Sequence, residues 1–435
     1  MNSLTFKALR AALVSLACAV WMTLPTGAGA ENLPPLQLSP RDALQMAVEN
    51  SRTVWYSTAV LDQTRSVHRW RYLQLLPELE VKGALASYQT DASSWQGTSE
   101  GSASLLLQAE DLLYPRETMN ARRQAEAAFD GTRVDFRAEV YAAYFRLVLL
   151  QEEIDLLERQ VGSAVDRLEA ARYDFDNGRI SEYEYLSAQL SYEEAVPQLE
   201  GKQIEYENSL QRFRLLIGVD TDQPVIFTGN LEAPDIPAEF NEKTASSVLS
   251  KTPLIRQQTA DVQTRKTALK KVPLRFLPDL SVSLSKSYSA DLSSGTSSHS
   301  SSGSYSLSLS FSFNDLLPGS QYRTSLETAR VNLEDARRRL EDNIEEQQIE
   351  LQELLARLEK SHADIEAARF KKELSDRFYI IAQSEYENGR RDLLELEEAD
   401  VKRGEAQLSL LSAIYERMVL LIDLERLTGQ SLIEW

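Results

Sequence analysis

The run Ser304-Tyr305-Ser306-Leu307-Ser308-Leu309-Ser310-Phe311-Ser312-Phe313 alternates without a break between serine and a large apolar side chain. Successive side chains of a strand point to opposite faces, so this run spells a strand with one apolar and one small-polar face. Upstream, Leu280, Val282 and Leu284 alternate with Ser281, Ser283 and Ser285. The stretch 285–303 between them is rich in Ser, Gly and Thr, the composition of a hydrated loop. Together they predict a β-hairpin over residues 278–314. A weaker copy spans 78–112: a strand from Leu79 to Tyr88, a polar loop from Asp91 to Gly101, and a strand from Ser102 to Leu112.

A soluble hairpin packed on helices would alternate too. A lipid-facing strand, however, needs an apolar side toward lipid and a polar side toward water, and crosses obliquely in about 9 to 11 residues. Four such strands cannot close a barrel, and open edges are not tolerated in lipid. The smallest membrane barrels have about 8 strands. If the hairpins lie in a bilayer, several copies of the chain must therefore share one barrel.

Working outward, the chain repeats itself. Leu76-Pro77-Glu78-Leu79-Glu80-Val81 matches Leu277-Pro278-Asp279-Leu280-Ser281-Val282, and the same register pairs Asn50-Ser51-Arg52 with Lys251-Thr252-Pro253. Later, Phe175-Asp176-Asn177-Gly178-Arg179 matches Tyr386-Glu387-Asn388-Gly389-Arg390. Gly178 precedes Gly218 by forty residues, and Gly389 precedes Gly429 by forty. Equal spacing between independent landmarks marks a duplication: a first repeat over 31–218, a linker over 219–240 and a second repeat over 241–435.

Each repeat reads as helix, two strands, very long helix, tight turn, helix. The first helix opens at Ser39-Pro40-Arg41-Asp42, a serine cap followed by proline, and runs to about Tyr72. Its counterpart runs from about Glu242 to Leu269. The long helix of the second repeat starts near Tyr322, with Leu326, Ala329, Leu333, Ala336, Leu340 and Ile344 at coiled-coil steps. No proline or glycine occurs from Gln321 to Tyr386, so an unbroken helix there is about 100 Å long. In the first repeat only Gly131 and Gly162 interrupt the matching stretch from Met119 to Phe175. The linker holds Pro224-Val225-Ile226-Phe227-Thr228 as a short strand that packs on the helices.

Residues 1–30 have the pattern of a secretory signal peptide: basic Lys7 and Arg10, an apolar run from Ala11 to Leu24, and Ala28-Gly29-Ala30 before Glu31. The one cysteine, Cys18, lies inside it. Ser15-Leu16-Ala17-Cys18 weakly resembles a lipidation box, but Ser15 stands where leucine is usual and the apolar run continues past Cys18. No later stretch has the roughly 20 apolar residues of a membrane-spanning helix. With 66 acidic against 47 basic residues, the formal charge is −19. That argues against a nucleic-acid partner, which needs clustered Lys and Arg.

The leader, the duplicated helix–hairpin–helix order and the two Asn-Gly-Arg turns set forty residues before Leu-x-Gly ends resemble the TolC-type outer-membrane efflux proteins. The resemblance covers essentially the whole chain after the leader. It implies a mainly α fold with β: a homotrimer whose duplicated long helices form a periplasmic α-barrel capped by one shared twelve-stranded transmembrane β-barrel, four strands per chain. It also implies an outer-membrane location, with helix tips that dock on a periplasmic adaptor protein bound to an inner-membrane pump. By position, Gly178, Arg179 and Ile180, with Gly389 and Arg390, look like those docking tips. Relatives often carry a hydrophobic residue where Arg179 stands. Tyr386, Arg391, Glu395 and Glu398, with Glu184 on the other helix pair, resemble the residues that close the family's aperture. Arg391, Glu395 and Glu398 would share one helical face, with glutamates where relatives usually have aspartates. Copies around an axis turn each inward carboxylate into a ring of charge, which selects cations.

No catalytic constellation appears. His68, His299 and His362 share no spacing with carboxylates, no glycine-rich loop precedes a lysine, and Glu345-Glu346 reads as a solvated helix face. The expectation is a passive exit duct for efflux or type I secretion, with no enzyme activity, cofactor or metal. The alternative is an exported periplasmic coiled-coil scaffold without a pore.

Overall fold

The computed structural model describes residues 36–88, 94–219, 224–232, 249–291, 298–311 and 319–431. The expected signal peptide with Cys18, most of the linker, the expected helix start at Glu242, and Phe313 lie outside them.

Strand β1 (Leu36–Leu38) leads into helices α1 (Pro40–Asn50) and α2 (Arg52–Arg69). The sequence pattern favours one helix from Ser39 to Tyr72; the structure breaks it at Ser51. The extended backbone of Ser51 ends α1, and its hydroxyl accepts from the Val54 amide to cap α2. Its repeat partner Thr252 is the N-cap of α5 (Pro253–Leu274), which runs past the expected end at Leu269.

Four strands form one antiparallel sheet in the order β2 (Glu78–Tyr88), β3 (Ser94–Leu107), β5 (Asp279–Asp291) and β6 (Ser298–Ser310). These strands are longer than expected and their loops shorter. Ser94 to Gly101 and most of 285–303 are ladder, not loop. Serine and glycine have poor strand propensity, but backbone pairing on both sides overrides it. Five cross-strand serine pairs, from Ser281–Ser308 to Ser289–Ser300, add hydroxyl contacts of 2.5 to 2.8 Å. Conversely, Gln108 to Leu112 is not strand. Residues Ala109–Leu113 form a 3-10 turn in which Asp111 accepts from the Gln108 amide at 3.1 Å, leading straight into α3 (Tyr114–Asp176).

Helix α3 has 63 residues and α6 (Gln321–Glu387) has 67, about 95 and 100 Å at 1.5 Å per residue. Gly131 and Gly162 do not interrupt α3. A mid-helix glycine costs about 1 kcal/mol relative to alanine, and packing along a long helix outweighs that. Each long helix turns back into a shorter one of 36 residues, α4 (Glu182–Ile217) and α7 (Leu393–Thr428). Gly218 and Gly429, the landmarks forty residues past the turns, end those helices with φ of 69° and 70°. This is the left-handed geometry that a terminating glycine supplies.

Helix α3 runs through the middle of the packing. On the sheet side the order is α2–α3–α5–α6, and toward the turns it is α4–α3–α7–α6. The main core lies where these levels meet. Tyr144, fully buried, donates to the Leu38 carbonyl at 2.9 Å and accepts from the Gly229 amide at 2.9 Å. Phe145, Phe213 and Phe227 surround its ring. Strand β4 (Val225–Phe227) pairs in parallel with β1, and Val225 and Phe227 pack on this core, as the short linker strand was expected to. Among the described residues, no helix is long and apolar enough to cross a membrane.

Candidate functional site

The pairing register sorts the sheet into two faces. One carries the serines of β5 and, apart from Ser301, those of β6, together with Thr98, Ser102, Ser104 and Leu106. Glu78, Glu80, Lys82 and Glu100 stand on the same face at the β2 edge, with Lys82 2.7 Å from Glu80. The other face carries Leu79, Val81, Leu85, Leu105, Leu280, Val282, Leu284, Tyr305, Leu307 and Leu309. These side chains are largely uncovered; Val81 is 86% and Leu307 74% exposed. The apolar face is interrupted by Lys286, on a stretch read as loop from sequence, whose ammonium lies 5.4 Å from the Tyr288 ring centroid. Edge strands β2 and β6 are each paired on one side only within the described chain.

At the opposite end are two matching turns. Gly178 and Gly389 both have φ of 67°. Their amides donate to Phe175 and Tyr386 carbonyls at 2.9 Å, and the Asn177 and Asn388 side chains donate to Tyr173 and Ser384 carbonyls. Arg179 pairs with Asp174 at 3.2 Å, and Arg390 is exposed. Ile180 and Tyr386 pack with Ala171, Ala188 and Leu393, so a small apolar cluster ties the tips of both helix pairs.

The expected gate residues are only partly brought together. Tyr386 lies in that cluster, and burial raises its hydroxyl pKa, helped by the nearby carboxylates of Asp174, Glu184 and Glu397. Glu184 is also occupied as a capping partner, accepting from the Ser181 amide and hydroxyl at 2.7 and 2.9 Å. Arg391 does not share a helical face with Glu395 and Glu398. It precedes the Asp392 cap of α7, pairs with Glu385, and comes within 3.8 Å of Glu395. The Asp392 carboxylate takes the Glu395 amide at 2.9 Å, so the helix starts after Arg391 instead of including it. Glu398 faces Lys402 at 3.8 Å. These exposed charges thus pair within their own helix pair.

A buried polar seam that the sequence reading missed joins the two pairs. Arg167 of α3 reaches Asp400 of α7 at 2.6 Å, and Arg403 holds the same carboxylate at 2.7 Å. Ser187 of α4 donates to Glu397 of α7 at 3.0 Å. Asp400 and Glu397 are 4% and 6% exposed, where an ionised carboxylate needs partners. Arg167 stands eleven residues before Gly178 and Asp400 eleven after Gly389, both about 16 Å from the tips. That equal offset of opposite charges was the available signal.

Comparison with known proteins points the same way. Residues 244–430 match the family described as Outer membrane efflux protein. A stretch of 163 residues is 26% identical to the cobalt-zinc-cadmium resistance protein CzcC of Cupriavidus metallidurans, spanning 38% of each chain. In structure, the CmeC outer membrane channel of Campylobacter jejuni is similar with a TM-score of 0.73 at 17% identity, over 90% of this chain and 85% of that one. The open-state MtrE outer membrane channel of Neisseria gonorrhoeae gives 0.68 at 17% identity, over 90% and 89%. CusC, a transmembrane channel, gives 0.72 at 17% identity, over 94% and 100%. Residues 244–430 are thus similar to the outer membrane efflux protein family, and across its described residues the chain has the fold of these solved channels.

Proposed function

We propose that this chain is the outer-membrane channel subunit of a tripartite efflux or type I secretion system, a passive duct gated at its periplasmic end. The observation that carries this reading is the open four-stranded sheet, apolar on one face and serine-lined on the other, set on helices about 100 Å long. An apolar face with stranded edge amides is stable in lipid only if the edges are paired. The free edges come from opposite repeats at every level: β2 and β6 in the sheet, α2 and α6 beside it, α4 and α6 toward the tips. The outer helices also leave apolar side chains uncovered at helical spacing, Leu186 and Leu190 on α4, and Phe370, Leu374 and Phe378 on α6. Such unlike edges suit head-to-tail contacts between copies, which close into a ring. The resemblance implies three copies and twelve strands.

Glutamates 395 and 398, repeated around that ring, would form the cation-favouring constriction, with Arg391 and Tyr386 holding it narrow. The tips at Gly178–Ile180 and Gly389–Arg390 would meet an adaptor, and an inner-membrane pump would supply the energy. The Cupriavidus relative's name makes divalent cations the first cargo to assay, and carboxylate rings have the matching sign.

Bilayer recording of the purified oligomer tests this. Arg391→Ser with Glu395→Ser is expected to raise conductance above a small closed current. A water-soluble monomer without conductance in either form would favour the scaffold instead.

A further inference from the structure

The apolar face of the sheet changes character part-way along its strands. On β5, each residue of that face up to Leu284 has apolar neighbours in register: Leu107 and Leu309 beside Leu280, Leu105 and Leu307 beside Val282, Ala103 and Tyr305 beside Leu284. One step further, Lys286 stands between Gly101 and Gly303, and Tyr288 between Ser99 and Ser301. A Cβ built at Gly101 meets nothing within 4 Å, and one at Gly303 meets only the Ser285 carbonyl oxygen, at an ordinary 3.8 Å. No neighbouring atom demands glycine there, and glycine weakens a strand interior unless another group must come close. The two glycines leave both flanks of Lys286 bare.

The lysine also lacks an anionic partner. Among the described side chains of the sheet it is the one Asp, Glu, Lys or Arg on this face, because Glu78, Glu80, Lys82, Glu100 and Asp279 belong to the serine face. Its ammonium lies 5.4 Å from the Tyr288 ring centroid, so the side chain leans away from the helices. Depth agrees with this direction. Phe276, Phe311 and Tyr322 gather where the sheet meets the helices, as aromatic belts do at a water–lipid boundary. Tyr288 is level with Ser301, ten residues back along β6 from Phe311. Ten residues are about 34 Å of strand, or about 26 Å of height at a tilt of about 40°, against an apolar band about 25 Å tall. The Lys286 ammonium therefore stands at the far boundary, level with the headgroups of the outer leaflet.

We propose that Lys286, Tyr288, Ser99 and Ser301 form a binding site for the phosphate of an anionic lipid in the outer leaflet. The ammonium supplies the charge, the exposed hydroxyls beside it supply further donors, and the glycine flanks let the headgroup approach. The site rests on the reading that the sheet lies in lipid.

Native mass spectrometry of the full-length oligomer, released from neutral detergent containing dimyristoyl phosphatidylglycerol or dimyristoyl phosphatidylcholine, counts the lipids retained. The unaltered protein is expected to bind the anionic lipid about tenfold more tightly, the worth of one charged hydrogen bond. Lys286→Gln should abolish that preference, and Gly101→Leu with Gly303→Leu, which fills the flanks, should weaken it several-fold. Lys82→Gln, the same charge change on the serine face, should leave it intact. A preference that survives Lys286→Gln, or falls equally with Lys82→Gln, overturns the site. Competition by inorganic phosphate would mark a free-anion site and overturn the lipid assignment. Equal retention of both lipids by the unaltered protein overturns the site alone, whereas retention of neither overturns the lipid-embedded sheet as well.

Discussion

Arg167→Met removes the ion pair that crosses between the helix pairs while leaving Asp400 its second partner. Breaking a buried pair by deleting one member costs about 3 to 5 kcal/mol when the survivor is orphaned. Here Arg403 remains 2.7 Å from Asp400, so the loss is closer to that of one charged hydrogen bond, about 2 kcal/mol. The Arg167 side chain is 17% exposed, so solvent screens the pair little. Two kcal/mol is about a thirtyfold shift between joined and parted helix pairs. A protomer parted one time in about a hundred would become parted about one time in four. The assay is single-channel recording of the reconstituted oligomer at neutral pH, with Arg403→Met as comparison. Arg403 pairs along its own helix and lies 3.7 Å over the Tyr379 ring, so it does not span the seam. The expected result is a rise in open probability of at least about tenfold for Arg167→Met and a much smaller one for Arg403→Met. An unchanged open probability, or equal rises in both, would refute the seam as the closing contact.

Other expectations concern stability. Gly178→Ala and Gly389→Ala should each cost about 1 to 2 kcal/mol from backbone strain alone, since a Cβ at either site meets nothing within 4 Å; thermal unfolding reads this. Tyr144→Phe loses its bonds to Leu38 and Gly229 and should destabilise by about 1 to 3 kcal/mol, with faster exchange of the Gly229 amide. Burial, with Asp174, Glu184 and Glu397 nearby, raises the Tyr386 pKa. The folded state therefore favours the neutral phenol, and its contribution is complete below the ordinary tyrosine range near pH 10 and lost as pH rises through the folded value. Tyr386→Phe should flatten the alkaline loss of stability, and an unchanged alkaline limb would count against the burial.

Much of this fold was legible because its signals are periodic. The alternation around Leu307 and Leu309, the unbroken α6 and the paired Asn-Gly-Arg turns each follow from a backbone repeat that one sequence displays. What stayed hidden depends on neighbours. Ser94 to Gly101 reads as loop by composition and becomes strand because β2 and β5 flank it. Lys286 enters the apolar face for the same reason. The break at Ser51 turns on which helix its hydroxyl caps. In the candidate site, the turns follow from glycine chemistry, whereas the seam joins residues more than two hundred positions apart. A charged residue on a helix also looks solvated until the neighbouring helix is known, as at Asp400.

The central claim is that the sheet lies in lipid with its serine face toward water. Cys18, in the expected leader, is the chain's one cysteine, so single cysteines placed in the strands can be read one at a time in proteoliposomes. Leu284→Cys and Leu307→Cys should resist a membrane-impermeant maleimide, while their neighbours Ser283→Cys and Ser306→Cys react. Equal reactivity at all four positions would contradict the account.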